Sequence, residues 1–227
     1  MHNFKQQIDR KRKKETDFCK EAKTLKELVI QEKNKLTKSG KDFILFDSGC
    51  EDEERILIVS TRENIEFLNS ESVWYVDGTF EISPDIFKQL FTINVIKNNR
   101  NLPLVYCFLP NKQQKTYIKL FNNLKSKGIS VIPVYIFSDF ELAIMNSIRE
   151  CFPGAQIGGC YFHLTSNLWK HVTNGLRKDH KNDKNFKIYF RYLKLIPLVP
   201  LKHTIFVFNE LRERVKENSK KTNRLLI

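Results

Sequence analysis

The sequence predicts an α/β fold: a five-stranded mixed sheet, three antiparallel strands followed by β-α-β-α units, with flanking basic helices. Three observations carry this expectation. Residues 73–109 hold three runs of β-branched and aromatic residues joined by short polar links, the pattern of antiparallel neighbours. Residues 115–176 alternate strand-length apolar runs with apolar residues at helical spacing. The chain of 227 residues is 41% hydrophobic and contains 18 Phe, enough to bury a core and too much for a disordered, collagen-like or mucin-like polymer.

The elements follow in order. Residues 5–38 have high helix propensity, with Leu25, Leu28, Val29 and Leu36 as a partial apolar stripe, so residues 1–40 read as a basic helical extension. Residues 41–72 read as a small α/β lead-in: strands at Phe43–Phe46 and Ile56–Val59 around an acidic loop, then a helix with Ser60 as N-cap and Glu63 completing a capping box. Residues 73–176 form the main domain. Val73–Phe80, Gln89–Lys97 and Leu102–Leu109 are strands, the last two joined by the turn Asn98-Asn99-Arg100-Asn101. Lys115–Lys127 is an amphipathic helix through Tyr117, Leu120, Phe121 and Leu124, stopped by Gly128. Val131–Phe137 is a strand, Phe140–Phe152 a helix closed by Pro153-Gly154, Ala155–Phe162 a strand and His163–Leu176 a helix. This β-β-β-α-β-α-β-α order is that of the ribonuclease H-like fold. Residues 177–227 are basic and aromatic, with a further helix at Thr204–Lys216.

Charge is unevenly placed. Residues 1–40 carry 12 basic and 6 acidic side chains, residues 41–169 carry 12 and 15, and residues 170–227 carry 15 and 5. Basic flanks around a mildly acidic middle are the electrostatic footprint of a polyanion binder such as DNA. Arg10, Lys11, Arg12, Lys13 and Lys14 form a basic run suited to nuclear import or phosphate contact. No apolar run is long enough to span a bilayer, the start lacks the apolar stretch of a signal peptide, and five scattered Cys argue for a reducing compartment.

Two carboxylates stand out. Asp77 lies inside an apolar strand, where a charge is costly unless a cation neutralises it. Asp139 ends the fourth strand, expected to be a parallel neighbour of the first, so the two can converge at the C-terminal sheet edge. Hard oxygen ligands suit Mg²⁺ or Mn²⁺, and a metal pair about 3.5–4 Å apart can act on a phosphodiester. Two simpler readings compete: Asp77-Gly78 as a turn, and Asp139 as a helix N-cap. Cys160 and His163, three apart, lack two further zinc ligands, since Cys151 and His171 fit no zinc spacing.

A specific resemblance emerges from ordered strings: Trp74-Tyr75-Val76-Asp77-Gly78-Thr79-Phe80, Gln89-Leu90-Phe91-Thr92-Ile93, Pro103–Lys112, Thr116-Tyr117, Asp139-Phe140-Glu141, Phe152-Pro153 and Gly159-Cys160-Tyr161-Phe162-His163. Together they resemble the catalytic domain of Mutator-like element (MULE) transposases. The resemblance implies a DDE-type mechanism in which three carboxylates hold two Mg²⁺ or Mn²⁺ ions, water attacks a transposon end, and the freed 3′-hydroxyl attacks target DNA. It implies Asp77 as first acid, Asp139 as second, Cys160 and His163 as a supporting motif, terminal inverted repeats and target DNA as partners, a possible homo-oligomer, and a nuclear location.

The family's third acid is a Glu beyond a helical insertion. Residues 177–217 resemble the start of that insertion, and Lys221–Ile227 does not supply the Glu. Glu210, Glu213 and Glu217 lie on a charged helix expected to face solvent. The expectation is therefore an incomplete, weakly active or inactive transposase chain, with a non-catalytic DNA-binding or partner-binding derivative as the alternative.

Overall fold

A computed structural model of the chain describes residues 22–79 and 82–218. Its centre is a seven-stranded mixed sheet: β1 (Ile44–Asp47), β2 (Leu57–Val59), β3 (Val73–Thr79), β4 (Gln89–Lys97), β5 (Arg100–Leu109), β6 (Tyr135–Ser138) and β7 (Gln156–Gly159). The spatial order is β1-β2-β5-β4-β3-β6-β7. The five expected strands have counterparts, but residues 131–134 are not strand, Cys160–Phe162 belong to the cap and start of the next helix rather than to a strand, and the sheet has seven strands. β2 pairs antiparallel with the outer edge of β5 through Leu57↔Phe108, Ile58↔Cys107 and Val59↔Tyr106, and β1 pairs with β2. The lead-in thus extends the sheet by satisfying an edge that would otherwise expose its N–H and C=O groups.

The turn between β4 and β5 is tighter than expected. Lys97 pairs with Arg100, and the two central residues, Asn98 and Asn99, have φ of 52° and 58°. Two consecutive left-handed residues make the type I′ hairpin that matches strand twist, and Asn tolerates that conformation. Pro103 sits opposite Asn94, where the ladder shifts register, so its missing N–H falls at an irregularity.

One face of the sheet carries the main core. α1 (Arg62–Ser70), α2 (Gln114–Ser126) and α3 (Leu142–Cys151) bury Leu68, Tyr117, Phe121 and Ile148 against Trp74, Val76, Phe91, Ile93 and Ile136. Trp74, Phe121 and Phe152 interlock edge to face, with Trp74–Phe152 at 5.6 Å and Phe121–Phe152 at 5.3 Å. α2 closes in a Schellman motif: Ile129 N–H donates to Leu124 O, Gly128 N–H to Lys125 O, and Gly128 has φ of 119°. The N-cap of α1 is Thr61, not Ser60. Thr61 accepts from Asn64 N–H, whereas the Ser60 hydroxyl is buried and donates to Leu104 O at 2.7 Å.

The second face is covered at its β1–β2–β5 end by residues 25–30 and 86–87, whose Leu25, Leu28, Ile30, Ile86 and Phe87 pack on Leu57, Val59 and Phe108. The long N-terminal helix is not formed across the described residues 22–38, which hold turns and a short 3₁₀ turn, Glu32–Asn34. The reason is tertiary. Arg55, 4% exposed, donates to the carbonyls of Leu25 (2.8 Å) and Leu28 (2.9 Å) and forks onto Asp47 at 2.7 and 2.6 Å. Arg55 thus ties this non-helical segment to Asp47, and helix propensity is weak against such tertiary contacts.

Beyond β7 the chain leaves the sheet as α4 (Tyr161–His171), a π-helical turn Val172–Leu176, α5 (Arg177–Asn182), α6 (Lys184–Leu195) and α7 (Leu201–Asn218). Val172, Leu176, Phe186 and Phe190 form a separate small core. Asp183 caps α6 by accepting from Asn185 and Phe186 N–H. No helix among the described residues is long and apolar enough to cross a membrane.

Burial would raise the Asp47 carboxyl, but the Arg55 fork and the Gly49 N–H together hold it below the usual carboxylate range. Arg55→Ala strips the partly buried Asp47 carboxylate of its counter-charge and removes the side-chain donor to the Leu25 and Leu28 carbonyls, so a loss of about 3 kcal/mol is expected in urea denaturation at neutral pH. Because the folded pKa is depressed, this stabilisation is complete above the ordinary carboxylate range and is lost as pH falls through the folded value. The gap between wild type and Arg55→Ala therefore narrows in acid; a gap independent of pH would contradict the assignment.

Candidate active site

The geometry starts from one pairing. β3 and β6 run parallel with Val73↔Tyr135, Trp74↔Ile136 and Tyr75↔Phe137 in register. Side chains alternate along each strand, so Trp74, Val76 and Ile136 enter the helix-covered core while Tyr75 and Phe137 stand on the opposite face. Those two rings stack at 5.2 Å and 13°. Asp77 lies two residues beyond Tyr75, and Asp139 two residues beyond Phe137. Asp77 thus lies in β3 two residues past the last β3–β6 pair, and Asp139 one residue past the end of β6.

The turn reading of Asp77-Gly78 does not hold. β3 continues through both residues, with Asp77↔Thr92, Gly78↔Phe91 and Thr79↔Leu90 paired. Gly78 sits at a crowded point: a Cβ there would lie 2.6 Å from Gln89 Oε1, so the Gln89 side chain would have to move. The N-cap reading of Asp139 is also displaced. The N-cap of α3 is Glu141, and Asp139 Oδ1 accepts from the Glu141 N–H at 3.0 Å.

Asp77 is about half exposed, with 47% of its side chain accessible, yet its Oδ1 is buried and accepts no hydrogen bond among the described residues. His163 Nε2 faces that oxygen at 3.7 Å, beyond hydrogen-bond reach. His163 Nδ1 is also buried without a partner. An orphaned carboxylate oxygen of this kind fits a bound cation. Among the described residues, however, no three His, Cys, Asp or Glu side chains gather around one point. His163 lies in the first turn of α4, and Cys160 is that helix's N-cap, tied to β6 by its N–H to Ser138 O at 2.7 Å. Cys151 is buried in the main core, away from any zinc role.

The sequence reading missed a polar chain behind the strand. Gln89 Nε2 donates to Tyr117 OH (2.8 Å), Tyr117 OH donates to Glu141 Oε1 (3.2 Å), and Lys112 Nζ donates to Glu141 Oε2 (3.1 Å). Burial pushes the Tyr117 phenol well above its ordinary value; the Glu141 and Asp139 charges add to this and the Gln89 hydrogen bond partly offsets it. The chain ties β4, α2 and the β6–α3 loop together and holds the segment that carries Asp139. A Gln at the head of an apolar strand was the available signal. Arg10–Lys14 lie outside the described residues. Glu210 and Glu213 are exposed and pair with Arg214 (4.0 Å) and Arg212 (3.7 Å), not with the carboxylate site.

Gly78→Ala drives a methyl into Gln89 and is expected to cost about 1–3 kcal/mol. In Gly78→Ala/Gln89→Ala the clash is gone, so the double variant should be more stable than the two single losses predict when summed. Strict additivity in a urea double-mutant cycle would refute the contact.

Comparison with known proteins adds three findings. No curated protein matches the chain. Among solved structures, the Drosophila P element transposase strand transfer complex is similar at 12% identity and a TM-score of 0.32, covering 73% of this chain and 52% of that one. The present chain thus spans about half the length of that transposase. Residues 73–167, which carry Asp77, Asp139, Cys160 and His163, match the family model of the MULE transposase domain.

Proposed function

We propose that this chain is the core of a MULE-type DDE transposase, built on a ribonuclease H-like sheet, with Asp77 and Asp139 as its first two metal-holding carboxylates. The observation that supports the reading is the β3–β6 pairing, whose last partners, Tyr75 and Phe137, each stand two residues before one of these carboxylates, together with the orphaned Asp77 oxygen. The family match over residues 73–167 supports it. Mg²⁺ or Mn²⁺ held there would polarise a scissile phosphate and acidify a bound water. The chain's own contributions are distinct. Asp77 and Asp139 present hard oxygen ligands. Glu141, committed to Lys112 and Tyr117, positions Asp139 through its backbone N–H. Cys160 anchors the start of α4 and so places His163.

DNA is the proposed partner, as terminal inverted repeats and target, in the nucleus and with self-association of the protein. The basic flanks, with 12 basic side chains in residues 1–40 and 15 in residues 170–227, would neutralise its phosphates, with Arg10–Lys14 among them. A DNA-binding derivative without cleavage activity is the second reading. It is favoured by the absence, among the described residues, of a third ligand gathered at the site.

Metal titration separates these from an unrelated fold use. Asp77→Asn and Asp139→Asn should each weaken Mn²⁺ binding about tenfold or more, read by calorimetry. The chain alone should nick inverted-repeat DNA at background level in Mn²⁺. Robust nicking abolished by Asp77→Asn would establish a complete catalytic set instead. DNA binding itself should fall about 10³-fold or more between 50 and 200 mM salt if some six phosphates are neutralised; a flat salt response would remove DNA as the partner.

A further inference from the structure

The structure points to His163 as a direct nitrogen ligand of the divalent cation held by Asp77; the inference, which is our own, rests on the metal reading above. Two atoms face each other with nothing between them: Asp77 Oδ1, buried and without a donor, and His163 Nε2, 3.7 Å away. The separation is too long for a hydrogen bond. It is close to the spacing of two ligands on one ion. Ligand atoms about 2.1 Å from a common metal stand about 3.0 Å apart at a right angle and about 3.4 Å apart at the tetrahedral angle. A closure of some 0.3–0.7 Å, within the reach of small side-chain rotations, seats an ion between them.

The placement is structural. Cys160 N–H is bonded to Ser138 O, so the chain turns into α4 directly from the sheet edge. The first turn of that helix then brings His163 to the end of β3, on the face where Asp77 stands. Asp77 and His163 alone do not complete a coordination sphere. Sites for such ions commonly use one or two protein ligands and finish on water and substrate phosphate. Asp139 does not gather with these two among the described residues, so the remaining positions fall to water and phosphate.

A nitrogen ligand changes which ion the site takes. Imidazole suits borderline metals, whereas an all-oxygen set suits Mg²⁺. With His163 in the set, the site departs from the all-oxygen environment that suits Mg²⁺ best.

The test is electron spin-echo spectroscopy of Mn²⁺ bound to the full chain without a histidine tag. Wild-type protein should show ¹⁴N modulation from a coordinated imidazole, converted to the ¹⁵N pattern by labelling histidine. His163→Gln, which keeps much of the side-chain volume, should still bind Mn²⁺, about tenfold more weakly, with the modulation gone. His171→Ala should retain the modulation. Mn²⁺ binding that requires Asp77 but shows no nitrogen coupling, or coupling that survives His163→Gln, overturns the inference and leaves the carboxylate reading intact. Binding indifferent to Asp77→Asn overturns both.

Discussion

The parallel pairing of β3 with β6 is the constraint on which the candidate site depends. A one-residue slip would exchange the faces of every side chain on one strand relative to the other. The buried Trp74, Val76 and Ile136 on the helix-covered face oppose such a slip, since it would turn them out of the core. The stacked Tyr75 and Phe137 secure the same register from the other side. Hydrophobic burial on one face thus fixes the register of the strands that lead into Asp77 and Asp139.

Around that pairing, polar groups hold the parts that apolar packing leaves loose. The β6–α3 loop has little side-chain volume to bury, and Phe140 is 45% exposed. Its position comes from Glu141, which is bonded by Lys112 from the loop after β5 and by Tyr117 from α2. Gly78 leaves space for Gln89, the inner end of the same chain. Buried networks of this kind specify geometry more than they stabilise. Arg55 plays the matching role at the other end of the sheet, where a fork onto Asp47 and two carbonyls moors the residues that cover β2 and β5.

Electrostatics separate the molecule into regions of different character. The acidic loop between β1 and β2 turns toward α2, where Lys115 pairs with Glu54 at 2.7 Å and Lys119 with Asp52. The middle of the chain thereby neutralises much of its own charge. The helical unit from α4 to α7 does not: α6 carries Lys184, Lys187, Arg191 and Lys194 and no acidic residue. Its small core of Val172, Leu176, Phe186 and Phe190 is independent of the sheet, so the basic surface hangs on the sheet chiefly through the start of α4, beside His163.

Much of this was legible in the chain itself. Runs such as Gln89–Lys97 and the helical spacing of Tyr117, Leu120, Phe121 and Leu124 specify their elements because local periodicity and core burial agree. Gly128 marks its helix end because a positive φ favours it. Asp77 and Asp139 stood out because a carboxylate at an apolar strand demands a reason. Pairing partners were not legible. Nothing local states that β2 joins β5, or that residues 22–38 yield their helix propensity to Arg55, since both depend on groups distant in sequence. The same holds for the site. The sequence alone determined which residues carry charge and on which strand they lie. Only the tertiary structure decided that Asp77 Oδ1 meets His163 and that Glu141 is committed elsewhere, because those encounters arise from strands and helices packing at one sheet edge.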